Sequence, residues 1–391
     1  MGGIPDMDIS QLAGLRFMCA CGREHGVNIK RIEVTRGIGE ALLKTAKAYD
    51  EGAILMVSDT NTHRVMGETA VDLLKSGGFR IKNLVYKPER ALVPDETAIG
   101  RLLMAVEQDT SLIMAVGSGT LNDLCRFVSY KVGIPYCIIA TAPSMDGYAS
   151  TVSPLMAEGF KTTFEATAPI AILGDPECLA NAPSVMISAG FGDIMGKYTA
   201  LADWELSRKL NGEYYCEETV NLMKKAVARC SDNAEAIAYR DKEGIGYLME
   251  ALVLSGVAMS FAGNSRPASG AEHHLAHFWE MDALKNKQAH ALHGNMVGVG
   301  ALVISRIYEM ADQKQKLGIE IPDTGKIGKL LKIAGCPTDP NTLGVSRELF
   351  YSSILHAKEI RPRYTILHLA EKLNILEKAA HELTETYYPA E

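Results

Sequence analysis

Strand and helix patterns alternate through the first 180 residues of this chain, and after about residue 185 the strand patterns stop. Residues 52–58 form a short apolar run, closed by Asp59-Thr60-Asn61-Thr62 as turn or cap chemistry. Residues 65–76 place Val65, Met66, Ala70, Val71, Leu73 and Leu74 at helical spacing. A strand is expected at 79–86 and a helix at 96–108, with Ile99, Leu102, Leu103 and Val106 on one face. Residues 111–116 form another strand ending in Gly117-Ser118-Gly119, followed by a helix over 121–132 and a strand over 136–140. Strand, glycine turn, helix, strand is a βαβ unit, which requires a parallel sheet with crossover helices. From residue 185 to 391 every periodic segment has helical spacing. The expectation is therefore an α/β domain over residues 1–184 and an all-α domain over 185–391. Gly174-Asp175-Pro176 supplies turn residues near the changeover. Two such domains would leave a cleft between them, a preferred place for a small-molecule site.

The chain has 391 residues, of which 47% are hydrophobic and 22% charged, enough apolar content for a sizeable core. Its net charge of −7 argues against nucleic acid or an anionic membrane as the main partner. No run reaches ~18 uninterrupted apolar residues, so no membrane span is expected. The start lacks a basic segment followed by an apolar one, and Met1-Gly2-Gly3-Ile4-Pro5-Asp6 lacks the Ser or Thr of a myristoylation signal. Eight cysteines without a secretory signal read as reduced thiols of a cytoplasmic protein. Cys19-Ala20-Cys21 followed by His25 has metal-ligand residue types. The spacing is too tight for a zinc ribbon, so the expected reading is ordinary thiols.

Four segments and one flanking position carry the chemistry. Gly117, Gly119, Thr120, Leu121, Asn122 and Asp123 lie at a strand-to-helix turn. Glycines allow close backbone approach, and a helix start offers free N–H groups to a pyrophosphate. The G-x-G-x-x-G fingerprint is broken by Asn122, and a plain βα turn reads the same way. Asp59, after the earlier strand, is either an N-cap or the acid that binds both ribose hydroxyls of an adenosine. In the second role it would favour NAD over NADP by repelling a 2′-phosphate. In the later half stand Gly190-Phe191-Gly192-Asp193, then His273 and His277 four apart on one helix face, then His290 and His293. Any one of these histidines taken alone reads first as a hydrogen-bonded core residue. Five of the ten histidines, however, fall between 273 and 293. One carboxylate and two imidazoles from different helices would hold a divalent ion with an open position, and zinc, nickel or iron would accept that set.

Taken together, Gly117-Ser118-Gly119 with Asp123, Thr141-Ala142-Pro143-Ser144-Met145-Asp146-Gly147-Tyr148-Ala149-Ser150, Gly190-Phe191-Gly192-Asp193, Ser269-Gly270-Ala271-Glu272-His273 with His277, and Leu292-His293-Gly294 resemble the sn-glycerol-1-phosphate dehydrogenases. That family lies within the iron-type alcohol dehydrogenase, glycerol dehydrogenase and dehydroquinate synthase superfamily. The match runs from about residue 30 to 300, and the amino-terminal Cys-x-Cys piece resembles the bacterial branch. The resemblance implies a Rossmann-like domain followed by a helical domain, the dehydroquinate synthase-like fold. It implies reversible NAD(P)-dependent reduction of dihydroxyacetone phosphate to sn-glycerol 1-phosphate, an ether-lipid precursor in phospholipid biosynthesis. NAD(H) would be preferred and NADP(H) accepted. A divalent ion, nickel or zinc before iron, would be held by Asp193, His273 and His293 in a homodimeric enzyme. Gly119 to Asp123 would lie along the NAD phosphates. Thr141, Ala142, Pro143 and Ser144, with Ser150, would flank the nicotinamide half. Asp146, Asp193 and His277 would touch the substrate, with His277 relaying a proton and Asp146 accepting from the free hydroxyl. Lys161, Lys197, Arg266, Arg361 and Arg363 are the candidates for the phosphate.

Two positions depart from the family pattern: Asn295 stands where Glu is common, and Lys197 where iron-type alcohol dehydrogenases have a further ligand. The latter suits a three-ligand site. Competing readings are a glycerol dehydrogenase, a dehydroquinate-synthase-like cyclase and a non-catalytic nucleotide-binding module. The cyclase branch implies Glu at the first ligand position, which Asp193 does not match.

Overall fold

A computed structural model describes residues 7–89 and 91–389. Residues 1–6, weighed above for lipidation, lie outside the described residues. The strands are β1 (Arg16–Met18), β2 (Glu24–Gly26), β3 (Arg31–Val34), β4 (Ala53–Asp59), β5 (Ile81–Tyr86), β6 (Thr110–Gly117), β7 (Tyr136–Ala140), β8 (Val152–Ala157), β9 (Phe160–Glu165) and β10 (Ala171–Gly174). The helices of the first half are α1 (Gly39–Lys47), α2 (Thr60–Thr62), α3 (Glu68–Ser76), α4 (Glu96–Ala105), α5 (Gly119–Val132) and α6 (Pro176–Leu179). Those of the second half are α7 (Ser184–Met195), α8 (Lys197–Asn211), α9 (Glu217–Asp232), α10 (Ala234–Ala238), α11 (Lys242–Ala262), α12 (Ala271–Lys285), α13 (His293–Lys314), α14 (Thr324–Ile333), α15 (Arg347–His356), α16 (Ile366–Lys372) and α17 (Leu376–Tyr387).

The chain divides into two compact units. The first contains the chain up to Met18, Glu24–Pro183 and Arg240–Val257. Its six-stranded sheet is parallel throughout, in the order β3-β10-β7-β6-β4-β5. A parallel sheet is covered on both faces, so its strands read as unbroken apolar runs rather than alternating ones. Ile54, Met56, Leu112, Met114, Val116, Cys137, Ile139 and Leu173 share one buried cluster with Leu42 and Leu74 from the flanking helices. From β4 the chain moves outward to β5, and from β6 it moves the other way to β7. The strand order therefore reverses between β4 and β6. In open parallel sheets ligands sit at such a point, beyond the carboxyl ends of the strands. Asp59 closes β4 and Gly117 closes β6.

The residues assigned by periodicity to the helical half include 240–257, which pack instead with the first unit. A methyl at Gly256 would lie 2.6 Å from Cβ of Ala149, and Ser255 Oγ donates to Asp146 Oδ2 at 2.9 Å. Periodicity sees that α11 is a helix but not what it rests against. The hairpin of β8 and β9 was also not expected. Its turn places Glu158 at φ 52° and Gly159 at φ 80°, the left-handed pair a two-residue hairpin turn demands. By length and composition alone α11 is apolar enough to cross a membrane, although most of it is buried in the protein. Glu250, Ser255 and Gly256 break the uninterrupted run on which the sequence criterion relied.

The second unit contains Cys19–Arg23, Ser184–Tyr239 and Ala258–Glu391. It is helical, and its core gathers Trp279, Ile304, Ile307, Phe350, Ile354, Leu367 and Leu376. Glycines set the spacing of its central helices. A methyl on Gly294 would fall 1.9 Å from the carbonyl oxygen of Ala189, and one on Gly192 would fall 2.4 Å from that of Gly294. Only hydrogen fits where α7 and α13 cross. That contact brings Asp193, on α7, against the first turn of α13, which begins at His293.

Candidate active site

In the first unit the glycine turn is held from below by side chains. Ser118 Oγ and Ser144 Oγ are 2.5 Å apart, and Tyr148 donates to the carbonyl of Ala142 at 2.5 Å. Asn122 Nδ2 donates to the Gly147 carbonyl at 3.3 Å, while its buried Oδ1 has no hydrogen-bond partner. Ser118 is the N-cap of α5, and its side chain makes no capping bond. The first N–H groups of α5 are thus left to an anion. A methyl on Gly117 would strike Leu121 at 2.4 Å, so the close strand-to-helix turn itself requires glycine there. These features suit a dinucleotide phosphate.

Asp59 uses Oδ1 to accept from the N–H groups of Asn61 and Thr62, both at 2.8 Å. The capping role is thereby seen. Both capping bonds go to Oδ1. Asp123 is engaged by Arg126 Nη1 at 2.6 Å, and Arg126 also donates to the Val152 carbonyl at 3.1 Å. Burial raises the Asp123 carboxyl to about 6 against the pull of Arg126. Arg126 is fully buried, and it crosslinks the start of α5 to the loop that carries Thr141, Pro143, Ser144, Asp146 and Ser150. Ser150 Oγ donates to the Val152 carbonyl at 3.0 Å.

In the second unit three helices supply the polar cluster. Asp193 Oδ1 lies 3.7 Å from His273 Nε2, and Lys197 Nζ donates to the same oxygen at 2.8 Å. Asp193 and Lys197 side chains have no solvent exposure. His273 Nδ1 sits 2.7 Å from Glu272 Oε1. Burial pushes His273 well below the usual imidazole range, so it is neutral with one N–H. The Glu272 contact holds the ring with Nδ1 toward Glu272 and Nε2 toward Asp193. An acid and an imidazole facing each other at that distance are placed as two ligands of one metal would be. The His293 ring lies beside this pair, 5.2 Å from His273 between ring centres, and stacks on His277 at 5.1 Å. His293, His277 and Glu280 also offer atoms within 4.8 Å of one another. Asp193 and His273 thus offer two donors of the kinds a divalent ion takes, and His293 stands beside them in the group it forms with His277 and Glu280.

Glu272 escaped the sequence reading because an acid on a helix is usually a solvated one. Here it is buried, accepts from Thr199 Oγ1 and Gly270 N–H at 2.6 Å each, and burial with Asp203 nearby lifts it to about 7. Lys197, weighed for phosphate, is committed to Asp193 and to the Ala268 carbonyl at 3.0 Å. Asn295 is buried and accepts from Ser188 Oγ at 3.3 Å, tying α13 to α7. His274 is buried with both ring nitrogens unpartnered, and burial lowers it to about 3. His290 is exposed and bonded to the Ala291 carbonyl.

Burial lowers His277 to about 4, with Glu280 opposing at a 3.5 Å Nδ1 contact. Its Nε2 is 3.4 Å from Arg361 Nη2. Arg266 is bound to Glu213 and to the Tyr364 carbonyl, and Arg363 to Ser269 and Ser265. Among the described residues no carboxylate pairs with Arg361, although most of it is buried.

A parallel sheet with a glycine turn at its switch point, followed by a helical unit that gathers an acid and imidazoles, defines a dehydrogenase class. The profile of the iron-containing alcohol dehydrogenase family matches residues 34–183. A protein of Halalkalibacterium halodurans named glycerol-1-phosphate dehydrogenase [NAD(P)+] is 35% identical over 376 residues, covering 90% of this chain and 94% of its own. One of the same name from Pyrococcus horikoshii is 39% identical, covering 80% and 85%. Among solved structures, glycerol dehydrogenase of Schizosaccharomyces pombe superposes with a TM-score of 0.66 at 18% identity, covering 92% of both chains. The iron-containing alcohol dehydrogenase of Thermococcus thioreducens reaches 0.69 at 15% identity, covering 92% of this chain and 99% of its own. The chain belongs to the glycerol-1-phosphate dehydrogenase family.

Proposed function

We propose that this protein reduces dihydroxyacetone phosphate reversibly to sn-glycerol 1-phosphate with NADH, and less well with NADPH. The observation that carries the reading is the locked His273: Glu272 on one nitrogen, Asp193 facing the other at 3.7 Å, and His293 alongside. Asp193, His273 and His293 are the proposed ligands of one divalent ion, nickel or zinc before iron. When bound, that ion supplies Lewis-acid polarisation of the substrate oxygen, and the reduced nicotinamide supplies hydride.

The chain's own residues do the rest. Lys197 holds Asp193 Oδ1 in place through a buried ammonium contact at 2.8 Å. Glu272 fixes the tautomer and ring plane of His273. His277, neutral at pH 7, relays a proton between Nε2 and Nδ1, with Glu280 at the latter. Arg361, lacking a carboxylate of its own, is the proposed partner of the substrate phosphate. Asp146 accepts from the free hydroxyl while Ser255 holds its Oδ2. The first turn of α5, from Gly119 to Asn122, takes the dinucleotide phosphates, Asp59 Oδ2 takes the ribose, and Thr141 to Ser144 with Ser150 flank the nicotinamide. The relatives' shared name supports the substrate assignment, and the resemblance of the amino-terminal piece to the bacterial branch supports a homodimer. Eight thiols suit a reducing, cytoplasmic compartment.

The test is a coupled assay with NADH, dihydroxyacetone phosphate and Ni²⁺, Zn²⁺ or Fe²⁺ in turn, with product chirality read afterwards. Metal-dependent formation of the sn-1 isomer is expected. Equal turnover of unphosphorylated dihydroxyacetone would make the protein a glycerol dehydrogenase instead.

A further inference from the structure

The tip of the β1–β2 hairpin, residues 19–23, is gathered into the second unit. There Cys19 and Cys21 meet Cys216, the N-cap residue of α9, from 197 positions away. The three sulfurs lie within 4.8 Å of one another. Cys19 and Cys216 are buried and Cys21 half-buried. The Cys19–Cys216 sulfur separation is 3.7 Å. Tetrahedral zinc with sulfur at about 2.3 Å requires ligand sulfurs about 3.8 Å apart, whereas a disulfide requires about 2 Å.

We propose that Cys19, Cys21 and Cys216, all in the second unit, form a second, structural zinc site, with three thiolates filling three positions of the tetrahedron. The tip is already folded for the purpose, since the N–H of Cys19 donates to the Arg23 carbonyl and that of Gly22 to the Cys19 carbonyl, both at 3.0 Å. Tyr214 OH lies 3.3 Å from the Cys21 sulfur, and the Arg23 guanidinium stacks 3.4 Å from the centre of the Tyr214 ring. A hydroxyl donor and a nearby cation are what three thiolates around a divalent ion need, because the cluster carries a net negative charge. None of these residues belongs to the proposed catalytic centre. The ion would pin the hairpin tip to the start of α9, a task for which a five-residue tip has too little apolar surface of its own.

The experiment counts metal in the full-length protein by inductively coupled plasma mass spectrometry. It is made in wild type, His273→Ala, Cys216→Ser and the double variant. Cobalt-grown samples are scanned for thiolate-to-cobalt charge-transfer absorption. One zinc per chain should persist in His273→Ala and vanish from the double variant. The cobalt band should be present in wild type and His273→Ala and absent from Cys216→Ser. Should Cys216→Ser fail to fold, the wild-type and His273→Ala samples still decide. A metal-free His273→Ala chain, a cobalt spectrum without thiolate absorption, or a Cys19–Cys216 disulfide in the native protein would overturn the site.

Discussion

Glu272 Oε1 lies 2.7 Å from Nδ1 of His273, and this contact decides which nitrogen of His273 faces Asp193. Glu272→Gln keeps the shape but offers no carboxylate to the Nδ1 hydrogen. Weakening such an outer partner typically costs about 10- to 100-fold in metal affinity. Competition with a chelator of known affinity measures it, and unchanged affinity would remove Glu272 from the centre.

Arg361 reads as the phosphate anchor because the other nearby cations are already occupied. Arg361→Ala should raise KM for dihydroxyacetone phosphate by about 10- to 100-fold, the loss of a charge-assisted contact of about 1.5–3 kcal/mol. KM for unphosphorylated dihydroxyacetone should hardly move. Equal effects on the two substrates would point to a structural role through His277.

Asp59 caps α2 with Oδ1, and the proposed function gives its other oxygen to a ribose. Asn is as good an N-cap as Asp, so Asp59→Asn should leave thermal stability within about 0.5 kcal/mol. Its loss of charge should raise the kcat/KM for NADPH relative to NADH. An unchanged ratio would leave capping as its whole role.

Gly294 sits under the Ala189 carbonyl at the crossing of α7 and α13. Gly294→Ala forces those helices apart, and overpacking of that kind costs about 1–3 kcal/mol. Urea unfolding should show a lower midpoint, and metal affinity should fall with it, since Asp193 and His293 ride on the two helices. A wild-type midpoint would mean that the crossing has room.

Asp203 is buried and accepts from Tyr308 OH at 2.6 Å and from the N–H groups of Ala271 and Ile366 at 2.7 Å. Burial outweighs those donors and raises its carboxyl from 3.8 to about 6. The folded state therefore holds this proton where the unfolded chain has released it. The associated stability is complete below about pH 4 and is lost as pH rises through about 6, some 3 kcal/mol in all for a shift of about two units. Asp203→Asn should flatten the fall in unfolding free energy between pH 4 and 6. Parallel curves for the two proteins would show that Asp203 is ionised throughout.

The sheet was legible because a parallel strand must be apolar on both sides, and residues 52–58, 111–116 and 136–140 are such runs. The helical half was legible for the same local reason, the 3.6-residue period. Asp193, His273 and His293 stood out because their motifs are short and the residues rare. Glu272, Glu280 and Cys216 did not, since nothing near them in the chain marks a buried acid or a third thiol.

The sequence alone determined the strands β4 to β7, the helical character of the second half and which residues carry imidazole, carboxylate and thiol chemistry. Periodicity and residue type act over a few positions and need no partner. Tertiary structure alone decided that α11 up to Val257 packs with the sheet unit, that Lys197 serves Asp193 rather than a phosphate, and that Cys216 meets Cys19. Those outcomes depend on which surfaces meet across tens to hundreds of residues. No local pattern encodes such encounters, because the free energy that fixes them comes from packing of the whole unit.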